Sequence, residues 1–244
     1  MNAPLAGRRV LVTRAIEDSG KWADRLCALG AEAVILPCIR TEVMDDPATR
    51  ARLTAELNGA GWLCIMSARG ADAVALLAGA LAPSLRIAVV GNATAHAVVG
   101  AIGRKPYVAH GRTSRALGEE LLREMRMDGA GLPRVVVASA HGGRTDAEDA
   151  LTHGGVAVAR VDVYRTIPAS RATPARDLAT EGIADVLLAS PSAVEGFLNQ
   201  ATFSSTTRFF TIGPTTTAAA RAAGLAVCGE ARQPDLDSLV EAMR

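Results

Sequence analysis

The stretch RRVLVTRAIEDSGKWADRLCALGAEAVILPCIRT (residues 8–41) returns later in the chain as PRVVVASAHGGRTDAEDALTHGGVAVARVDVYRT (residues 133–166). Laid together, Arg9 meets Arg134, Gly30 meets Gly155 and Thr41 meets Thr166, all at an offset of 125. Working outward, CIMSARGADAV (64–74) pairs with LLASPSAVEGF (187–197), which brings Ser67 to Ser190 at an offset of 123. VVGNATAHAV (89–98) pairs with TIGPTTTAAA (211–220), bringing Gly91 to Gly213 and Thr94 to Thr216 at 122; Leu117 and Leu239 also differ by 122. Self-similarity of this length at nearly constant spacing points to two related units.

Within each copy short apolar runs alternate with longer amphipathic segments. VLVT, AVILP, WLCIM, RIAVV and PYVA read as strands, and EDSGKWADRLCAL, TRARLTAEL, GADAVALLAGAL, ATAHAVVGA and SRALGEELLREM as helices. Nearly continuous apolar strands between helices predict an α/β chain with parallel sheets covered on both faces. Ligands of such sheets sit beyond the carboxyl ends of the strands, and the glycine–threonine turns fall there. In TIGPTTTAAA, Gly213 ends a strand, Pro214 is preset for a first helical turn, and the threonine hydroxyls are expected to cap free amides. Such a helix mouth also suits an anion, because unpaired amides and the helix dipole favour negative charge.

The bulk numbers exclude several classes. A length of 244 residues accommodates one large domain or two smaller ones, each with its own core. Hydrophobic content of 49% with 21% charge is that of a soluble globular protein, and 3% aromatics leaves little to stack on bases. A formal net charge of +1 gives no long-range pull on nucleic acid or an anionic membrane, so neither is expected as a partner. Cys27, Cys38, Cys64 and Cys228 form no C-x-x-C pair; they read as small core residues of a reducing cytoplasm. MNAPLAG leads straight into a strand without an apolar leader, and no 18-residue uncharged apolar stretch follows, so a cytoplasmic location is expected.

Standard site chemistries are missing from the residues. Val12-Thr13-Arg14-Ala15 stands where a dinucleotide-binding G-x-G-x-x-G would follow the first strand, and GAIGRK (100–105) lacks the phosphate-loop spacing. His96, His110, His141 and His153 show no zinc-protease spacing, and no G-x-S-x-G is present. Only Lys21 and Lys105 are lysines, in no recognisable Schiff-base setting. Hydroxyls, arginines, glycines and a tyrosine at strand ends remain.

VLVTR, AVILPCIRT, MSARGADAV, VVGNATA, HGGR, VDVYRT, LLASPSAVEGF and TIGPTTTAAA come in the order seen in uroporphyrinogen-III synthases, and the resemblance covers essentially the whole chain. It departs at Ala15, where a proline commonly follows the arginine, and at Met66-Ser67-Ala68-Arg69, a loose first serine turn. The resemblance implies two flavodoxin-like domains with parallel sheets, related by internal duplication and joined by a two-stranded antiparallel linker. Domain one would be residues 1–38 plus 168–244 and domain two residues 41–165, with crossings near 37–42 and 162–167.

The resemblance further implies a cyclising lyase of tetrapyrrole biosynthesis. Its substrate would be hydroxymethylbilane, a linear tetrapyrrole with eight carboxylates, for which hydroxymethylbilane synthase would be the donor enzyme. The terminal hydroxyl leaves as water, the resulting azafulvene combines with the substituted carbon of the last ring, and a spiro intermediate reopens and recloses with that ring inverted. Neither metal nor organic cofactor is implied, and a monomer is expected. Tyr164 would assist the leaving hydroxyl together with Thr215. Gly213 and Thr216, with Asn92 and Thr94 from the other copy, would hold carboxylates. Ser190, Ser192 and Ser67 would donate from neighbouring strand ends, Gly142, Gly143 and Arg144 would form an anion nest, and Arg14 would face the substrate. Against each role stands a structural one: capping for the hydroxyls, packing for Tyr164, a solvent loop for the glycines and a surface ion pair for Arg14. A two-domain tetrapyrrole or small-anion sensor without turnover is the alternative reading.

Overall fold

Runs as short as WLCI and DVLL are buried along their whole length. A strand between two helical layers is the conformation that lets four residues do this. The computed structural model describes residues 3–129 and 131–244. In chain order it forms β1 (Arg9–Val12), α1 (Ile16–Ala28), β2 (Glu32–Ile35), β3 (Ile39–Val43), α2 (Pro47–Leu57), β4 (Trp62–Ile65), α3 (Ala68–Leu77), β5 (Arg86–Val89), α4 (Asn92–Ile102), β6 (Tyr107–Val108) and α5 (Ser114–Met127). It continues with β7 (Val135–Ala140), α6 (Asp146–His153), β8 (Val158–Pro168), β9 (Arg176–Asp177), β10 (Asp185–Leu188), α7 (Pro191–Gln200), β11 (Ala201–Thr202), β12 (Arg208–Thr211), α8 (Pro214–Ala222), β13 (Val227–Glu230) and α9 (Leu236–Ala242).

Two compact units result, residues 1–41 with 166–244 (unit 1) and residues 42–165 (unit 2). Both divisions fall inside strands, β3 and β8, which are hydrogen-bonded neighbours. The sheet of unit 1 runs β13-β12-β10-β1-β2, with every neighbouring pair parallel. The second sheet runs β3-β8-β7-β4-β5-β6, parallel from β8 to β6. Replacing β1 by β7, β2 by β8, β10 by β4, β12 by β5 and β13 by β6 turns the first order into the second without its end strand β3, and the sequence pairing above makes the first four of these replacements.

Each sheet has two apolar faces. In unit 1, Leu26 of α1 and Leu239 and Val240 of α9 cover one face, while Val194 and Phe197 of α7 and Ala220 of α8 cover the other. Phe197 and Phe209 of the second of these cores meet the exposed Phe203, with ring centroids 5.2 to 5.7 Å apart. In unit 2, Leu53, Val74 and Val98 lie on one face, and Leu117, Leu121 and Leu151 on the other. Close approach of backbone fixes Gly196 and Gly118 among the glycines. A Cβ at Gly196 of α7 would lie 1.7 Å from the Cys38 carbonyl oxygen, and one at Gly118 of α5 would lie 2.6 Å from the carbonyl of Ala147.

Two expectations need correction. The helix expected to reach Leu81 ends at Leu77, because Gly79 adopts φ +61°, a left-handed conformation that stops a helix. Of the four cysteines read as core, only Cys38 and Cys64 are buried; Cys27 lies on the outer side of α1 and Cys228 on the edge strand β13. Burial pushes the Cys38 and Cys64 thiols up to about 12, the nearby Glu148 charge adding to the effect at Cys64, so both stay neutral.

Candidate functional site

In unit 2 the parallel order sets the carboxyl ends of β8, β7, β4 and β5 side by side, and the turns that follow carry most of the residues singled out in this half of the chain. Ser67 is the N-cap of α3; its extended backbone lets the hydroxyl accept from the Gly70 amide at 3.0 Å. The same oxygen lies 2.9 Å from the phenol oxygen of Tyr164. Tyr164 stands on β8 opposite Ala140, its carbonyl accepting from the His141 amide at 2.8 Å. Its ring belongs to the core and is 8% exposed. Asn92 is exposed at the first position of α4, whereas Thr94 is buried in the same turn; the N-cap, Gly91, is extended and makes no side-chain cap.

The loop after β7 is held from below. Arg160 donates through Nε to Asp162 at 2.9 Å, through Nη1 to Glu148 at 2.6 Å, and through Nη2 to the Ala140 carbonyl at 2.7 Å and the Ser139 hydroxyl at 3.2 Å. Asp162 also lies 3.0 Å from Nδ1 of His141. Gly142 takes φ +68°, which favours glycine in the turn, and a Cβ on Gly143 would lie only 3.0 Å from the Ala140 oxygen. Arg144 is exposed, with Nε donating to Asp146 at 2.7 Å. Sequence reasoning missed Arg160 because its partners are spread over residues 139–162; the local signal, R-x-D on a strand, is common.

In unit 1, β1 and β10 flank the point at which the strand order reverses. Ser190 caps α7, accepting from the Ala193 amide at 3.1 Å, and its hydroxyl lies 3.0 Å from that of Ser192. Arg14 folds back on α1, 3.4 Å from Asp18 and 4.7 Å from the centre of the Trp22 ring. The surface ion pair therefore accounts for most of its guanidinium, although Nε is buried with no hydrogen-bond partner. Gly213 is the N-cap of α8 and makes no side-chain cap, which corrects the capping expected of the threonines. They begin two positions past the cap, beyond Pro214. Thr215 is exposed at the second helical position and Thr216 is buried. Thr217 is also buried, 2.6 Å from the Thr211 hydroxyl and donating to Glu230.

The family model described as uroporphyrinogen-III synthase HemD matches residues 20–241. The chain belongs to the uroporphyrinogen-III synthase family. A uroporphyrinogen-III synthase from Synechococcus elongatus is 27% identical over 168 residues, 67% of this chain and 62% of that protein, so the match spans less than two thirds of the relative. Among solved structures, the uroporphyrinogen-III synthetase of Helicobacter pylori is 14% identical with a TM-score of 0.56, covering 96% of both chains. A variant uroporphyrinogen III synthase of Thermus thermophilus is 18% identical with a TM-score of 0.50, covering 97% of both. These two show the fold, a mixed α/β arrangement with parallel sheets. Among the described residues no cluster of three or more His, Cys, Asp or Glu could hold a metal ion, and no helix is long and apolar enough to cross a membrane.

Proposed function

We propose that this member of the family is itself a uroporphyrinogen-III synthase, a lyase that closes hydroxymethylbilane to uroporphyrinogen III with loss of water and inversion of the last ring. The observation that carries the reading is the pairing of Ser67 with Tyr164 at the carboxyl ends of parallel strands. The Ser67 oxygen already accepts from the Gly70 amide. Its own proton can then go to the phenol oxygen, leaving the phenol proton for the departing hydroxyl. Loss of that hydroxyl as water gives the azafulvene, and the substituted carbon of the last ring forms the spiro bond to it; reopening and reclosure at the other position completes the inversion.

An octacarboxylate needs many donors rather than one strong charge, and both units offer them at strand ends. Thr215 and Thr216 follow the extended Gly213 at the mouth of α8 in unit 1, and Asn92 and Thr94 follow the extended Gly91 at the mouth of α4 in unit 2. Ser190, Ser192, Gly142, Gly143 and Arg144 would complete the carboxylate contacts, with Arg14 contributing least. Because the substrate also closes unaided to the uninverted isomer, the task is to hold its ends so that one closure is reachable.

The test mixes the purified protein with freshly generated hydroxymethylbilane, oxidises the products and separates isomers I and III by chromatography. Predominant isomer III is expected. Isomer I at the uncatalysed rate from folded protein would overturn the synthase reading in favour of a sensor.

A further inference from the structure

The turn before α5 reads His110-Gly111-Arg112-Thr113 and the turn before α6 reads His141-Gly142-Gly143-Arg144-Thr145. Both helices cover the same face of the second sheet, and the two arginines line one open cavity of about 460 Å³. Arg115 and Ser114 join them, and Val90, just past β5, adds an apolar wall. Three guanidiniums thus face a single carboxylate, Asp146, whose oxygen is taken by Arg144. Arg112 and Arg115 make no hydrogen bond or ion pair among the described residues, in a molecule where most arginines are paired. The first turn of α5 contains no acidic residue, while Thr113 spends its hydroxyl on the Ala116 amide. Two positive charges are left uncompensated beside a cavity.

The loop is built to hold this arrangement. Glu120, on α5, accepts from the His110 and Gly111 amides at 2.9 Å each and from the Tyr107 phenol at 3.0 Å. Immediately after these anchored amides Arg112 takes φ +53°, the one positive φ outside glycine among the described residues. A non-glycine residue there is uncommon, and it turns the chain so that Arg112 and Arg115 line the same cavity.

We infer that the cavity between the mouths of α5 and α6 is a subsite for the paired carboxylates of one pyrrole ring, with Arg112 and Arg115 as its specificity-determining cations. It deepens the proposed function and rests on that reading for the identity of the whole substrate. Guanidinium forks match carboxylates in geometry, an apolar wall suits the ring that carries them, and a pair of neighbouring acidic arms accounts for two unpaired arginines.

The experiment has two parts on the full chain. In turnover assays, Arg112→Asn, which tolerates the left-handed backbone, and Arg115→Gln are each expected to raise KM for hydroxymethylbilane about tenfold with a much smaller change in kcat. Arg123→Gln, an exposed arginine of the same helix away from the cavity, controls for net charge and is expected to leave KM unchanged. Equal KM in all variants, or an equal rise with Arg123→Gln, would overturn the subsite. Independently of turnover, porphobilinogen, a single pyrrole with one acetate and one propionate arm, is titrated while the arginine Nε–H signals are followed by NMR. Shifts of Arg112 and Arg115 that saturate are expected; shifts absent there overturn the proposal. Should the protein yield only isomer I while those signals still move, the synthase reading fails and the subsite stands.

Discussion

The hydroxyl of Ser67, in the turn after β4, and the phenol of Tyr164, on β8, meet at 2.9 Å although β4 and β8 lie on opposite sides of β7. If the pair works as one proton-delivering unit, Tyr164→Phe and Ser67→Ala should each lower kcat/KM by about tenfold to a hundredfold. The double variant should be little worse than either single one, because both remove the same relay. Additive losses in a double-mutant cycle, or complete inactivity of stably folded Tyr164→Phe, would contradict this account.

Thr215 and Thr217 differ by half a turn and should behave oppositely. Thr215 is exposed, so Thr215→Ala is expected to reduce turnover partially while leaving the thermal midpoint in place. Thr217 bridges Thr211 and Glu230 from a buried position. Thr217→Val should therefore cost stability of about 1–3 kcal/mol by leaving those partners unsatisfied. Urea unfolding of the two variants beside the wild type distinguishes the assignments.

Gly196 touches the carbonyl of Cys38 and the amide of Ala169, which are bonded to each other at 2.8 Å. No rotamer can relieve a methyl placed against backbone. Gly196→Ala is expected to destabilise the protein by about 3 kcal/mol or more, despite the better helix propensity of alanine. A midpoint within a degree of wild type by scanning calorimetry would show that α7 can move away.

Glu120 carries a pH dependence. Burial alone would raise its carboxyl, but the amides of His110 and Gly111, with His110 and Tyr107, outweigh it and hold it at about 2 against an ordinary 4.5. The folded value lies below the unfolded one, so its contribution is fully present above pH 4.5 and is lost as the pH falls toward 2. Unfolding free energies measured between pH 6 and pH 3 should fall less steeply for Glu120→Gln than for the wild type.

The alternation of buried strand and amphipathic helix was legible because parallel strands buried on both faces become unbroken apolar runs. The serine turns were legible too, since Ser67 and Ser190 cap from the positions their motifs suggest. Other features lay beyond local pattern. The threonines after Gly213 looked like caps, but glycine holds the cap position and Thr217 answers to Glu230, thirteen residues on. Arg160 and Glu120 act through partners on other segments, so nothing at either position announces a clamp. Arg112 and Arg115 flank a threonine–serine pair before an amphipathic helix, a signal that could have been read as a helix mouth with two cations.

The strand order of unit 1 has a consequence for the order in which the protein is made. β1 lies between β2, translated at once, and β10, which begins only at residue 185. A ribosome therefore completes all of residues 42–165 while β1 still has one side unpaired. The inserted unit, continuous in sequence, is expected to fold first on the emerging chain, inverting the usual rule that the segment made earliest matures earliest. Nascent chains arrested just before β10 should resist protease across the inserted unit and be cut ahead of it, because in that interval β1 presents an open edge to association.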